Sequence, residues 1–393
     1  MSAAAAVSKP TFVVATPGRS VCDNNARVLY QHGLLRFLAL GTRRGIQGLP
    51  LEVTRLNPKI GLLAYAAART FSTARAESLR FRLHPWFDRW VLSQLEPGNH
   101  IISSYGYANE SFRWVRQHGG KTFLDGGNSH PDNFWSILVE EHKRWNCSSP
   151  PIARHHYQRS LRMMPEVDYV LSPSSFVSRS FLDRGFKAEQ ILPTVYPTDL
   201  TLFRPTSTPR PADRPLTIIA PGSLSLRKGT PYLLEGFRLV LKTHPTARLV
   251  LNRAVFENVA AVVSRHADLP IDWLPFLTPA QLGEKMRECD LMILPSLEDG
   301  FARTVLEALA CGLPVITTPN TGASELIQPG KNGEVVPIRD PGAIADGVCK
   351  WAGRVMNSGW QPVSLVDTDK ASMSYFQQQF MAQLIQLGLA GNT

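Results

Sequence analysis

LMILPSLEDGFARTVLEALACGLPVITTPNTGASELI, residues 291–327, has the densest pattern of structural signals in the chain. Its apolar run Leu291–Leu294 predicts a buried strand, which ends at Pro295-Ser296. A carboxylate-rich loop with a glycine follows, and a helix is predicted to begin near Ala302–Thr304. The next strand is predicted at Pro314–Thr317. A strand, a helix and a second strand in this order predict a βαβ unit in a parallel sheet.

The same alternation of apolar runs and helical patterns extends over most of the 393 residues. Further strands are predicted at Thr11–Ala15, His100–Ser104, Lys121–Leu124, Val167–Leu171, Leu216–Ala220 and Ala247–Leu251. Helical spacing is predicted for residues 23–40, 176–184 and 372–389. A chain of this length, with 44% hydrophobic and 19% charged residues, is typical of a globular protein with about two domains.

A proline-rich stretch, RPTSTPRPADRP at residues 204–215, divides the chain. It has no apolar periodicity, so it predicts an extended linker. The sequence therefore predicts an N-terminal α/β domain over residues 1–205, a linker over 206–215, a C-terminal α/β domain over 216–371 and a closing helix over 372–393.

The loop and helix after Leu294 have the chemistry of a site for a phosphorylated, hydroxyl-rich ligand. The first amides of a helix have no intrahelical partner and carry a partial positive charge, which suits a phosphate. Asp299 precedes the predicted helix and Glu307 lies in its second turn, so a carboxylate on each side suits sugar hydroxyls. Ligands of open α/β sheets bind at the carboxyl ends of the strands, where this loop lies.

The segments Asp299-Gly300-Phe301, Leu306-Glu307-Ala308 and Ala310–Val315 together resemble the donor-binding region of glycosyltransferase family four, a retaining family with the GT-B fold. That resemblance implies two Rossmann-like domains whose parallel sheets face each other across a cleft. It also implies that Asp299 contacts the hydroxyls of the donor sugar and that Glu307 contacts the nucleotide ribose. The family has Glu at the first position, so Glu298 is a second candidate there, and Ala302 replaces a family glycine.

Two further loops extend the resemblance to the donor phosphates. Ala220–Gly229 (APGSLSLRKG) is similar to the family's GRLxxxKG loop, in which an Arg and a Lys bind the diphosphate. Lys228 matches that Lys, Ser223 stands where the Arg is expected, and Arg227 is the candidate that replaces its charge. The loop at 320–325 implies amides that face the phosphates. The implied donor-binding residues are Ser223, Arg227, Lys228, Glu298, Asp299, Gly300, Phe301, Ala302, Arg303, Thr304, Glu307, Thr321 and Gly322.

Residues 124–130 are similar to a Gly/Ser–His segment in which the family's His faces the reaction centre, so His130 joins Lys228 and Asp299 as a predicted catalytic residue. The resemblance implies a nucleotide sugar as co-substrate, no other cofactor and no metal. A metal pair at His155-His156 is not expected, because adjacent residues on a helix face different ways. No residue stands out as a covalent nucleophile, so same-face displacement within an ion pair is the expected retaining route.

The expected function is transfer of a sugar, with retention, to a glycan, lipid or small-molecule acceptor in polysaccharide or glycoconjugate synthesis. A catalytically weak GT-B binding or scaffold protein is one alternative. Another GT-B enzyme, such as a sugar-nucleotide epimerase or a glycan phosphorylase, is a second. Nucleic acid is not an expected partner, because the chain has no RNA-binding aromatic motif, basic tail or helix-turn-helix signature.

The net charge of +10 favours anionic partners. Within residues 58–90 the basic residues are Lys59, Arg69, Arg75, Arg80, Arg82 and Arg89. This segment predicts either a surface that docks on anionic membrane or helices with a solvated charged face. The apolar run Ile60–Ala68 is too short to span a bilayer. With five scattered cysteines and no signal-peptide pattern, the expected location is cytoplasmic, peripheral at the inner face of the membrane.

Overall fold

The computed structural model describes residues 11–18, 20, 22–41, 46, 48–70, 73–147, 151–206, 214–356 and 362–391. Within these residues the chain forms two parallel β-sheets with helices packed against them, which confirms the predicted α/β class. Most of the linker predicted at 206–215 lies outside the described residues.

Seven strands form the first sheet in the described part of the chain, in the order β3-β2-β1-β4-β5-β6-β7. Every neighbouring pair is parallel. Their bounds are β1 Phe12–Thr16, β2 Leu35–Leu40, β3 Thr54–Leu56, β4 His100–Ser103, β5 Thr122–Asp125, β6 Tyr169–Ser172 and β7 Ile191–Pro193.

The second sheet, over the described C-terminal residues, has six parallel strands in the order β10-β9-β8-β11-β12-β13. Their bounds are β8 Thr217–Ala220, β9 Arg248–Asn252, β10 Ile271–Leu274, β11 Leu291–Leu294, β12 Val315–Thr317 and β13 Gly333–Val335. In each sheet the chain order reverses once, between β1 and β4 and between β8 and β11. Ligands bind at such reversal points, because the loops that leave the two strands diverge there and open a crevice.

The described helices are α1 Cys22–Gln31, α2 Pro58–Thr70, α3 Thr73–Arg82, α4 His84–Leu92, α5 Asn109–Gln117, α6 Pro131–Arg144, α7 Arg154–Met163, α8 Ser175–Leu182, α9 Thr230–Val240, α10 Glu257–Arg265, α11 Pro279–Glu288, α12 Arg303–Ala310, α13 Pro341–Val355 and α14 Met373–Gln386. Among them, no helix is long and apolar enough to cross a membrane.

The helical prediction for residues 23–40 is wrong in its second half. Helix α1 ends at Gln31, Gly33 turns the chain with a φ of +67°, and Leu35–Leu40 is strand β2. This strand is almost entirely buried, so its residues are apolar in a near-continuous run. Periodicity cannot separate such a run from a buried helix.

Helix α14 lies near the end of the chain but packs into the core of the first sheet. Its buried side chains Phe376, Phe380 and Leu384 share a cluster with Phe12 and Leu38 of strands β1 and β2. The polypeptide therefore enters the second domain once and returns to the first, so that two chain crossings hold the domains together.

Direct contacts between the domains also hold the cleft. Glu141 of α6 is fully buried and accepts hydrogen bonds from the Tyr232 hydroxyl at 2.6 Å and from Arg339 Nε at 2.7 Å. Ser174 Oγ donates to the carbonyl oxygen of Gly300 at 2.6 Å, and Ser175 N donates to Glu325 Oε2 at 3.0 Å. These contacts set the distance between the loops of the two sheets.

Candidate active site between the two domains

The two loops predicted to bind a donor leave the neighbouring strands β8 and β11, at the reversal point of the second sheet. The β8 loop contains Arg227 and Lys228, and the β11 loop contains Glu298 and Asp299. The loops run side by side, because Leu297 N donates to the carbonyl oxygen of Arg227 at 2.8 Å. The topology therefore brings together residues that are about seventy positions apart.

Lys228 and Asp299 form a direct ion pair, in which the lysine Nζ donates to Asp299 Oδ2. Asp299 is 8% exposed. Burial acts to raise the pKa of this carboxyl, but the positive charges of Lys228 and Arg227 outweigh it and lower the pKa below its ordinary value. Asp299 is therefore a carboxylate at neutral pH, one residue before the close approach of Gly300 to the other domain.

Arg227 binds the same loop from the other side. Its Nη1 donates to the carbonyl oxygen of Glu298 at 2.9 Å and lies 3.4 Å from Glu298 Oε2 and 4.0 Å from Asp299 Oδ2. Its side chain is still 31% exposed and lines the cleft. Two cations and two carboxylates thus meet at one point, which can bind an anion once a carboxylate is displaced.

Glu298 faces the N-terminal domain. Its Oε1 accepts hydrogen bonds from Ser129 N at 2.9 Å and Ser129 Oγ at 3.1 Å. Burial raises the pKa of Glu298, and the charge of Arg227 with the Ser129 bonds offsets part of that rise. Because both its oxygens have protein partners, Glu298 links the domains across the cleft, a role that sequence analysis missed since Ser129 lies 169 positions away.

The amides of Thr321 and Gly322, which the resemblance implies face the phosphates, have backbone partners in this structure. Thr321 N donates to the carbonyl oxygen of Thr318 at 3.0 Å, and Gly322 N donates to that of Asp299 at 2.8 Å. Both amides therefore brace the β11 loop. Glycine is required at 322 because a Cβ there would lie 1.9 Å from the carbonyl oxygen of Gly300.

Gly300 and Phe301 also have packing roles. A Cβ on Gly300 would lie 2.2 Å from the carbonyl oxygen of Gly127 in the other domain. Phe301 is 6% exposed and packs edge-on against Tyr196, with ring centroids 5.5 Å apart. These two residues therefore hold the loop against the N-terminal domain and shape the site through position.

Helix α12 begins immediately after Ala302, whose φ is +60°. The Val305 N–H bonds back to the Ala302 carbonyl, so the amides of Arg303 and Thr304 come before this bond at the amino end of the helix. Glu307 lies half-buried on α12, and burial raises its pKa while the charge of Arg303 lowers it. The binding of a nucleotide sugar by these residues stays a prediction.

Ser223 lies in the β8 loop and follows Gly222, whose N–H donates to Asn252 Oδ1 at 3.1 Å.

His130 caps the start of α6, where its Nδ1 accepts a hydrogen bond from Asp132 N at 3.2 Å. The His130 ring is 4% exposed and packs edge-on against Phe181 at 5.2 Å. Burial lowers the pKa of His130 to about 4, so the imidazole is neutral at physiological pH.

The structure thus places His130 in a packing and capping position, directly after Ser129, which contacts the site. Asp125, which sequence analysis did not single out, lines the cleft at the end of β5. The signal available for it was an acidic residue at the carboxyl end of a strand. In the described ranges, no group of three His, Cys, Asp or Glu side chains is arranged to hold a metal ion.

Residues 215–353 match the sequence model of the family described as Glycosyl transferases group 1. WcaL of Salmonella typhimurium, whose name assigns it to colanic acid biosynthesis, is 23% identical over 62% of this chain and 61% of that protein. A D-inositol 3-phosphate glycosyltransferase of Frankia alni is 32% identical over 32% of this chain and 34% of that protein. The chain therefore spans less than two thirds of the length of these relatives.

Solved structures are similar over nearly the whole chain. Sucrose-phosphate synthase from Thermosynechococcus elongatus has a TM-score of 0.64 at 17% identity, over 97% of this chain and 99% of that chain. Anabaena Alr3699/HepE, solved in complex with UDP and glucose, has a TM-score of 0.61 at 15% identity, over 96% of this chain and 100% of that chain. Together these findings show that residues 215–353 match the glycosyl transferases group 1 and that the chain has the GT-B fold.

Proposed function

We propose that the protein is a glycosyltransferase that moves a sugar from a nucleotide-sugar donor to a carbohydrate or lipid-linked acceptor, in polysaccharide or glycoconjugate synthesis. The observation that carries this proposal is the contact between Lys228 and Asp299 beside the amino end of α12. The contact puts a cation, a carboxylate and helix amides at the reversal point of the second sheet. The names of the similar proteins support the same activity.

In this proposal Lys228 and Arg227 stabilise the leaving diphosphate. Negative charge develops on that group as the bond to the sugar breaks, and cations held in position favour the transition state. Lys228 must turn from Asp299 to do this, which frees the carboxylate to accept hydrogen bonds from sugar hydroxyls. Glu307, half-buried on α12, is available to the ribose.

We propose that configuration is retained. Asp299 and Glu298 bind Lys228, Arg227 and Ser129, and no carboxylate of the cleft is assigned as a nucleophile. Asp125 accepts hydrogen bonds from Tyr196 and Cys22. The acceptor hydroxyl therefore attacks from the face that the diphosphate leaves, and its proton passes to a diphosphate oxygen. An NMR measurement of the anomeric configuration of the first product would contradict this route by showing inversion.

A thermal-shift screen with UDP-, GDP-, ADP- and dTDP-sugars, followed by assays of nucleoside diphosphate release, tests the activity. We expect one donor class to stabilise the protein and to release diphosphate only when an acceptor is added. We also propose that no metal is required, so EDTA should leave the rate unchanged. Release without any acceptor, in step with a change in the sugar itself, would instead indicate an epimerase.

The position of the family's arginine, occupied here by Ser223, favours one second candidate, a binding or scaffold protein with little turnover. A charge-assisted hydrogen bond contributes about 1.5–3 kcal/mol, so loss of one of two cations slows transfer without abolishing it. Donor binding without diphosphate release over a broad panel of acceptors would support the scaffold.

A further inference from the structure

A cavity of ≈ 790 Å³ opens at the reversal point of the first sheet, where β1 and β4 end. It is continuous with a second cavity of ≈ 400 Å³, because the two share lining residues such as Ser20, Glu77 and Arg80. Each volume is in the range of known ligand sites. The second cavity reaches Ser129 and Arg227, so one groove leads from the candidate donor site out through the N-terminal domain.

The two ends of this groove differ in chemistry. The inner end is polar and presents Tyr105, Asp125, Asn128 and Ser129 beside Arg227. Asp125 is fully buried, and its carboxylate is held by Tyr196 OH at 3.1 Å and Cys22 Sγ at 3.1 Å. Such fixed hydrogen-bonding groups suit the hydroxyls of a sugar.

The outer end is the more apolar of the two, although Glu77, Arg80 and His84 also line it, and one wall of it is formed by α2. Ile60, Gly61, Ala64 and Tyr65 line it as two pairs at i, i+4 spacing, so they form a single face of the helix. Phe256, from the C-terminal domain, also lines this end of the groove. Residues 60–68 (IGLLAYAAA) contain one polar side-chain group, the Tyr65 hydroxyl, which accepts a hydrogen bond from Arg69 at 2.8 Å. The α2 wall itself therefore offers few hydrogen-bonding partners to a polar glycan.

Helix α2 also has exposed apolar side chains. Leu62, Leu63 and Tyr65 of α2 are 55%, 48% and 61% exposed, although helices of globular proteins normally bury such residues. Adjacent exposed apolar side chains mark contact with another apolar body. Of the three, Tyr65 also lines the groove, so a chain leaving the groove would pass it.

We propose that the acceptor is amphipathic, with its sugar at the polar inner end and a hydrocarbon chain along Ile60, Ala64 and Tyr65. This inference rests on the proposed function and narrows its acceptor to the lipid-linked class. The attacking hydroxyl then lies next to Arg227 and Ser129, while the chain leaves the protein past Tyr65 of α2.

Binding of methyl, hexyl and octyl β-D-glucoside, measured by calorimetry below their micelle concentrations, tests the apolar chain directly. Burial of one methylene strengthens binding about fourfold at most, so we expect the octyl compound to bind about tenfold tighter than the hexyl compound. Equal affinity for all three compounds would overturn the proposal.

Two substitutions on the same helix provide matched variants. Ala64→Arg puts a charge inside the groove and should abolish the dependence on chain length, whereas Ala66→Arg, on the exposed side, should keep it. Ala64→Gln serves the same purpose if Ala64→Arg does not fold. Equal loss in the Ala64 and Ala66 variants would assign the binding to the outer surface and overturn the groove.

A UDP thermal shift on the same proteins separates this inference from the proposed function. If UDP raises the melting temperature but the glucosides bind with the same affinity whatever their chain length, only the amphipathic acceptor is overturned. Absence of a shift with UDP and the other nucleoside diphosphates would count against the donor site, and the glucoside series would still decide the nature of the groove.

Discussion

Lys228 and Asp299 show how single residues set the electrostatics of the cleft. The pair is largely buried, and each charge compensates the other in a place where an isolated charge would be costly. A diphosphate bound at Lys228 can take over the role of the carboxylate. In the proposed function, donor binding is therefore an exchange of anions at one ammonium group.

Replacement of Lys228 should slow sugar transfer strongly. Loss of one preorganised group that stabilises the leaving charge lowers kcat about 10²–10³-fold, so Lys228→Ala should show a loss of this order. The rate of nucleoside diphosphate release with the donor found by thermal shift measures it. Lys242→Ala, at an exposed lysine of the same domain, is the control and should keep the rate. An active Lys228→Ala variant would contradict the assigned role.

Ala302 has a backbone conformation that favours glycine, with φ +60° and ψ 74°. The left-handed region costs an L-residue about 1–2 kcal/mol, which Gly avoids. Ala302→Gly should therefore raise the free energy of unfolding by about 1 kcal/mol, measured by urea denaturation. Ala261→Gly, in the exposed face of α10, should lower it by about 1 kcal/mol, because there the helix favours Ala.

At the scale of elements, loops at the ends of parallel strands build the site and close approach of backbones positions them. Gly300 lies against Gly127, and Gly322 lies against Gly300, in contacts that a Cβ would prevent. The β11 loop is thus held between its own domain and the loop after β5. Substitution of either glycine would displace the β11 loop. The displacement would shift Asp299 and change the contact between the two domains.

Packing of α7 against α3 and α4 predicts a pH dependence of stability. His156 of α7 stacks on Phe81 at 3.9 Å and contacts His84 edge-on. Burial, with the nearby charges of Arg80 and Arg159, lowers the pKa of His156 to about 3. In the unfolded chain His156 takes up a proton below about pH 6.5, whereas in the folded chain it does so only near pH 3. The contribution of the neutral His156 to stability is therefore complete above about pH 6.5 and is lost as the pH falls towards 3.

A non-titrating residue at 156 isolates this effect. Between pH 7.5 and pH 5, one buried neutral histidine lowers the free energy of unfolding by about 2 kcal/mol. His156→Phe keeps an aromatic ring beside Phe81, so its stability should fall by about 2 kcal/mol less than that of the wild type over this range. Urea denaturation at both pH values measures the difference, and parallel losses in the two proteins would contradict it.

At the scale of the whole molecule, hydrogen bonds between Arg339 and Glu141 and between Ser129 and Glu298 join the two domains across the cleft. The N-terminal domain also carries the basic and apolar helices α2–α4. In residues 58–90 there are six basic and two acidic residues, one of which, Asp88, is buried and bonded to Arg159. Trp86, at 59% exposure, adds to the exposed apolar side chains of α2.

We propose that helices α2–α4 bind peripherally to the inner, cytoplasmic face of an anionic membrane, where a lipid-linked acceptor would be presented. Pelleting with vesicles should require anionic lipid and weaken as salt is raised. Leu62→Ser with Leu63→Ser should reduce pelleting, and Leu182→Ser, at an exposed leucine of α8, should leave it unchanged. Equal pelleting with neutral vesicles would rule out the electrostatic part of this proposal.

The local sequence was sufficient for the α/β class, for most strands and for the βαβ unit at 291–327, because buried strands and helix starts have short-range signals. It also indicated Lys228 and Asp299 as partners of one ligand through a family resemblance. The partners of Glu298, Gly322 and His130, and the groove beside α2, were decided only by tertiary structure. Hydrogen bonds such as Ser129 with Glu298 join residues that are distant in sequence, so only the packing of the two sheets brings them together.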